Sequence, residues 1–500
     1  MTSDARPPRH EKRRPPQREP QAPQPANAQR QANSQRPAQA QRVQPARRVA
    51  FDVIRAVSES DAYANLLLPT RLERAGLSGA DAALATELTY GTLRMQGYYD
   101  AVIRIAAGRE TDRIDAPILD VLRLATHQLL SMRTAHHAVV DEAVSLAREV
   151  GSQSATGFVN GVLRTITRTE PADWHERVMA QPRSDDERLA IEYSHPVWIV
   201  RAFRRALAAE GREIELEDLL DADNLAPRVS LVALPGLSST DDLPRSRAAR
   251  FSPLGVVSEG GDPARWPVVQ TGHARVQDEG SQLAALALSR ARPAVAGERW
   301  LDMCAGPGGK AALLAAEAAS AGVTLVANDI LPVRAELVRS ALAAIPNPPQ
   351  VLVQDGTTIG QTLPEQFDRI LIDAPCTGLG ALRRRPEARW RKQPKDVAEL
   401  QKLQARLLES GIGALKPGGI LAYVTCSPHL AETTGVVEGV LKRQGGRIER
   451  LDTAAVLAGV TVEPLELGDQ GERVSGHVQL WPHRHGTDAM FICLLRKVQD

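Results

Sequence analysis

The chain has 500 residues, 43% of them hydrophobic, and a formal net charge of +1. That suffices for two to four domains with proper cores and excludes a fibrous or disulfide-dependent chain. Its four cysteines, Cys304, Cys376, Cys426 and Cys493, lie 72, 50 and 67 residues apart, with no CxxC or Cys/His pair at metal-ligand spacing, so no metal centre is expected.

The near-neutral total hides an uneven distribution. Residues 1–48 carry 11 Lys and Arg against 3 Asp and Glu, and hold no Leu, Ile, Phe, Tyr or Trp. A segment with so little to bury is expected to be a disordered, basic, Pro- and Gln-rich tail. Two readings of it stay open: a solubilising extension, or an arm making salt-dependent contacts with nucleic-acid phosphates. No apolar run reaches the roughly 18 to 20 residues of a membrane span, and the N-terminus lacks the apolar centre of a secretory signal. A cytoplasmic protein with reduced thiols is expected.

From Val49 the periodicity turns helical. Val49, Val53 and Val57 recur four apart, and DAPILDVLRLATHQLL sets Ile118, Val121, Leu122, Ala125 and Leu129 on one stripe, with Asp115 at a capping position and Pro117 in the first turn. GFVNGVLRTITR repeats the pattern through Phe158, Val162, Leu163 and Ile166. Residues 49–170 are therefore expected to form an all-helical domain. Over 171–275 the amphipathic RLAIEYSHPVWIVRAFRRAL gives way to PRVSLVALPG and SPLGVVSEGGDP, short strands broken by turns, which predicts a small α+β connecting domain. From 276 to 500 helices alternate with the apolar runs RWLDM, TLVAN, QVLV, RILID and ILAYVT. Such alternation predicts a parallel sheet with helices on both faces, a Rossmann-like α/β domain.

RWLDMCAGPGGKAALLAAEAA reads as strand, glycine loop and helix, the layout in which a cofactor lies against a helix N-terminus. A nucleoside triphosphate loop is disfavoured, because Cys304 stands where its first Gly belongs and Ala311 where its Ser or Thr belongs. Three carboxylates close successive strands: Asp329 after TLVAN, Asp355 after QVLVQ and Asp373 after RILI. One acid at a strand end is usually a turn former. Three behind a glycine loop instead describe a nucleoside crevice, with Asp329 placed to accept ribose hydroxyls. Without a phosphate-binding Lys–Ser pair, S-adenosylmethionine, with its positive centre, fits better than ATP or NAD. Cys376 and Cys426 each fall just past the C-terminal end of a strand, the edge where open α/β sheets hold their ligands.

These stretches carry a resemblance. CAGPGGK, DAPCTGLGALRRRPEARW, TCSPHLAE and LWPHRHGTDAMFICLLRK resemble the RNA cytosine-5 methyltransferases of the Nol1/Nop2/Sun family. LTYGTLRMQGYYD, LRLATHQLLSM and GFVNGVLR resemble the NusB-like RNA-binding domain that precedes the catalytic unit in that family's bacterial 16S ribosomal RNA enzymes, and YSHPVWIV and DNLAPRVSL resemble their connecting domain. The resemblance implies methyl transfer from S-adenosylmethionine to C5 of a cytosine in 16S rRNA, by a monomer needing neither metal nor membrane. It implies that Cys426 attacks C6 as the nucleophile, that Cys376 serves product release, and that Asp373 meets N3 of the base. Cys304, Ala305, Gly306, Pro307, Gly308, Gly309 and Lys310 would line the methionine part of the cofactor, with Asp329 at the ribose, Asp355 near adenine and Asp373 bordering the same site.

Arg383, Arg384, Arg385 and Arg389 are read as RNA backbone contacts, and Trp390 as a packing residue. Two positions depart from the family pattern: Thr377 stands where Ser is usual, and AETTGVV keeps Glu432 but lacks the accompanying Asn. Two rival functions are methylation of another RNA, such as a transfer RNA, and a non-enzymatic RNA-binding role in assembly.

Overall fold

The computed structural model describes Met1 and residues 43–60, 62–467 and 476–499; the basic segment 2–42 lies outside the described residues. The first described helix, Pro45–Ser60, opens a helical array that runs to Pro171–Met179. The apolar stripes meet at its centre: Val49, Val53 and Val57 pack with Ile118, Val121, Leu122, Ala125 and Leu129, and with Val162, Leu163 and Ile166. Asp115 occupies the N-cap position of helix Ala116–Leu130, but its side chain makes no capping bond. Pro117 presets that first turn through its fixed φ.

Helices persist through Leu216–Ala222 before the first strand appears. β1 (Ser230–Ala233), β2 (Ser246–Ala248), β3 (Gly255–Ser258) and β4 (Ala274–Val276) form a small antiparallel sheet in the order β2-β3-β1-β4.

The large sheet contains β5 (Arg299–Asp302), β6 (Thr324–Asn328), β7 (Gln350–Leu352), β8 (Phe367–Asp373), β9 (Leu415–Thr425), β10 (Ile448–Arg450), β11 (His477–Gln479) and β12 (Phe491–Lys497). Its order is β10-β12-β9-β8-β5-β6-β7, with β11 against β12. β5 to β9 pair in parallel, as the βα alternation predicts. The other end is antiparallel: β12 runs against β9, from Phe491 opposite Thr425 to Arg496 opposite Ile420. FICLLRK has the length and apolarity of a strand, but composition carries no information about strand direction.

Period-2 alternation sends Ile420, Ala422 and Val424 of β9 into one core, beneath helices Glu279–Ser289 and Gly309–Ser320. Leu421 and Tyr423 enter the other, beneath Pro394–Ala414 and Thr434–Gln444. From β5 the chain winds outward through β6 and β7, then returns to β8 on the opposite side of β5. The carboxyl ends of β5 and β8 therefore flank a topological switch point, where such sheets form a ligand crevice.

The arginine-rich stretch differs from its reading as an RNA contact. Arg389 is fully buried and donates to the carbonyls of Arg94, Ser194 and Asp223 and to Asn224 Oδ1, at 2.8 to 3.1 Å. Arg383 and Arg384 are held by Asp278 and Asp488. Their planar forks are occupied within the protein, so none of the three is free for phosphate. Arg385 stays exposed over the Tyr63 ring. Trp390 packs over Gly97, where a Cβ would collide with its ring.

Arg389 thus ties the helical array, the segment around Asp223 and the half that carries the large sheet through one guanidinium. Its removal leaves several buried acceptors without a donor. Arg389→Ala should lower unfolding free energy by about 3 kcal/mol or more, read as a drop in denaturant midpoint, and Arg389→Lys should recover only part of it.

Candidate active site

β5 ends in Asp302, and the chain then turns through 303–308 into helix Gly309–Ser320. The loop closes against the end of β6: Gly306 N–H donates to Asp329 Oδ2 at 3.1 Å, Leu331 N–H donates to Oδ1 at 3.0 Å, and Arg334 donates to the Gly306 carbonyl. A Cβ on Gly306 would strike the Asp329 carboxylate and Arg334, so the close approach requires glycine. Gly308, at φ +106°, turns the chain into the helix. Asp329 is buried, with Arg334 Nε 3.5 Å from Oδ2, while Oδ1 accepts one hydrogen bond and keeps a second lone pair, which suits it to a ribose hydroxyl. Asp355 is exposed at the end of β7, where its Oδ1 accepts from Thr357 N and Oγ1 at 2.9 and 2.8 Å and caps a turn. A glycine cradle, a helix N-terminus and a buried strand-end carboxylate fit the nucleoside and amino-acid parts of S-adenosylmethionine.

Asp302 was not singled out from the sequence. It is completely buried, and neither carboxylate oxygen has a hydrogen-bond partner of normal geometry. Burial, reinforced by Asp373 and opposed by Lys310, pushes its carboxyl up to about 8. An acid closing the apolar RWLD was a visible anomaly, since buried acids are rarely left unpaired. Cys304 sits in the same loop, its thiol driven far above the ordinary range by burial and then by Asp302.

β8 and β9 are hydrogen-bonded in parallel with Asp373 opposite Val424, so the chain leaving each strand delivers its cysteine to the same place. The sulfurs of Cys376 and Cys426 lie 3.4 Å apart. The two thiols share a hydrogen bond, and this contact draws Cys426 below the ordinary thiol value and holds Cys376 well above it. Burial and Asp373 oppose the shift at Cys426, while Lys310 assists it. Lys310 reaches Asp373 Oδ2 at 2.8 Å, so the loop lysine and the DAPC aspartate form one pair. Burial alone would lower Lys310, but Asp373, with Cys426 and Asp302, outweighs it and keeps the ammonium charged.

A buried carboxylate fixes both cysteine loops. Glu432 Oε1 accepts from Thr377 N at 2.7 Å and Gln404 Nε2 at 3.2 Å; Oε2 accepts from Thr377 Oγ1 at 2.5 Å and Ser427 Oγ at 2.7 Å. The residues following Cys376 and Cys426 thus share one acceptor. Threonine at 377 supplies the hydroxyl that serine would, and Gln404 provides an amide donor. Gly380 completes the join: its N–H donates to the Cys426 carbonyl at 2.9 Å, and a Cβ there would meet the Ala489 carbonyl. Among the described residues no group of three or more His, Cys, Asp or Glu is placed to hold a metal, and no helix is long and apolar enough to cross a membrane.

The buried Asp302 has a consequence for stability. Its folded-state value of about 8 lies above the ordinary 3.8, so between those values the folded state retains a proton that the unfolded chain has released. Stability from this group is present at acid pH and is lost as pH rises through that window. Asp302→Asn should therefore show a flatter dependence of denaturant midpoint on pH, and exceed the parent protein at pH 8.

Residues 292–496 match the family described as 16S rRNA methyltransferase RsmB/F, and residues 44–168 match the NusB family. A Mycobacterium tuberculosis protein described as a methyltransferase is 48% identical, over 90% of this chain and 96% of its own length. Ribosomal RNA small subunit methyltransferase B of Bacillus subtilis is 30% identical over 90% of this chain and 98% of its own; the protein of that name in Pseudomonas syringae is 32% identical over 81% and 88%. The solved structure of PH0851 superposes with a TM-score of 0.74, covering 91% of this chain and all but 1% of its own, at 22% identity, which speaks to the fold. With relatives at this level of identity along nearly their whole length, and both family matches in place, the chain belongs to the RsmB/F family of 16S rRNA methyltransferases, whose methyl donor is S-adenosylmethionine.

Proposed function

We propose that this protein transfers a methyl group to C5 of a cytosine in 16S ribosomal RNA through a covalent adduct between Cys426 and C6. One observation carries the reading: two thiols 3.4 Å apart at adjacent strand ends, one drawn toward the thiolate and the other held protonated. Cytosine C5 is a poor nucleophile. Addition of the Cys426 sulfur to C6 moves the C5–C6 electron pair onto C5, where it can take up a methyl group. Asp373 meets N3 of the base, and the Lys310 ammonium paired with it at 2.8 Å compensates the negative charge that develops on the ring as sulfur adds. S-Adenosylmethionine supplies an electrophilic methyl group on a sulfonium.

Loss of the C5 proton to a base then restores the double bond as the C6–S bond breaks. The departing sulfur regains its hydrogen bond from Cys376, which gives that residue a part in release. Attack on C6 needs the ring face, so the target base must be single-stranded or flipped out.

In this reading residues 276–500 form the catalytic domain, 171–275 connect it to the NusB-like domain 49–170, and the basic segment 1–48 precedes them. The protein acts as a cytoplasmic monomer, in the compartment where both thiols stay reduced. A purely structural assembly role gains nothing from two unpaired thiols, and the 16S substrate is supported by the names of the full-length relatives.

With radiolabelled donor and 16S rRNA, Cys426→Ala should lose at least about a thousandfold in rate. Cys376→Ala should instead accumulate a protein–RNA adduct that survives denaturing electrophoresis; the reverse pattern would exchange the two roles. Alkylation by iodoacetamide gives a second measure. Cys426 should react with an inflection below the ordinary 9.0, and Cys376→Ala should move that inflection upward by removing the donor. Cys304 and Cys493 should stay silent, since burial raises both thiols.

A further inference from the structure

We propose that a cleft behind the catalytic turn is a subsite for a second nucleotide of the RNA strand, distinct from the reacting cytosine. The proposal rests on the RNA substrate argued above. The cleft has a volume of about 520 Å3 and lies between helix Val197–Ala209, the first turns of helix Pro394–Ala414 and residues 429–431. That volume is within the roughly 300 to 1,000 Å3 of small-molecule sites. One wall belongs to the catalytic machinery: His429 N–H donates to Ser427 Oγ at 3.3 Å, and Glu432 N–H donates to the His429 carbonyl at 2.8 Å. A nucleotide in the cleft therefore presses on the turn that carries Cys426.

The lining has the chemistry of a nucleotide site. Arg205 is exposed and, among the described residues, has no carboxylate partner, whereas Arg201 and Arg204 on the same helix are engaged by Asp186 and its neighbours. Its charge is free for a phosphate. Trp198 offers a half-buried aromatic surface for a base, flanked by Val397 and Leu430. His429 Nδ1 accepts from Ala431 N–H at 3.2 Å, and burial, with Arg205, lowers its pKa. The ring is thus neutral with its proton on Nε2, a donor that, with the Gln401 amide, can read a base edge. No acidic side chain lines the cleft. A cation, an aromatic and neutral donors without acids suit a nucleotide better than a basic or purely apolar peptide.

Photocrosslinking of the full chain to a 16S rRNA transcript containing 4-thiouridine, with mass spectrometry of RNA-linked peptides, should attach a nucleotide within residues 197–205 or 429–431. Crosslinks confined to other segments would overturn the proposal. In equilibrium binding to the same transcript, Trp198→Ala should weaken affinity about tenfold while Trp198→Phe restores it. Arg205→Gln should raise the KM for RNA without changing kcat, and reduce the slope of log affinity against log salt by about 0.7.

Unchanged affinity and salt slope in both variants, with methylation intact, would remove the subsite and leave the proposed reaction standing. Crosslinking and binding as expected without methyl transfer would remove the reaction and leave the subsite. A chain that binds no rRNA would overturn both.

Discussion

The parallel pairing of β8 with β9 is the constraint on which the site depends. Because Asp373 stands opposite Val424, the residues after each strand leave the sheet side by side, and two sulfurs separated by fifty positions in sequence come to 3.4 Å. A one-residue slip of either strand would turn its side chains to the opposite face. The Glu432 carboxylate is the device that holds the register beyond the sheet, taking donors from both loops where strand hydrogen bonds no longer reach. Its four donors are individually modest, but a buried acceptor satisfied this fully leaves the loops few alternative arrangements.

Charge in the crevice follows from the same geometry. Lys310 enters from the glycine loop and Asp373 from β8, and their contact spans the switch point between β5 and β8. The ammonium faces carboxylates at two strand ends, Asp373 and Asp302, the second buried with no hydrogen-bond partner of normal geometry. The loop lysine therefore also sets the electrostatic environment of the Cys426 sulfur.

What could be read from sequence divides along a physical line. The helical stripes, the glycine loop and the strand-end acids at 329, 355 and 373 are local patterns, and each appears where its spacing implied. The fate of the arginines was not legible. Whether Arg383 meets water or Asp488 is decided by a residue 105 positions away, and the Arg94 carbonyl that fills the fork of Arg389 lies 295 positions away. RRRPEARW reads as a solvated basic helix only as long as those partners are out of sight. The antiparallel end of the sheet was hidden for a related reason, since strand direction is a property of the whole topology.

The Arg389 bond set bears on how the molecule can be divided. Modular proteins join their parts through linkers, with each part closing its own core. Here a guanidinium from the catalytic half finds its acceptors at Arg94, Ser194, Asp223 and Asn224, so a fragment that lacks either side loses this bond set and exposes the surface it covers. The helical array and the catalytic half are consequently coupled in folding. The described chain from the first helix to the last strand is thereby tied into one folding unit, in which no part closes its core without the others.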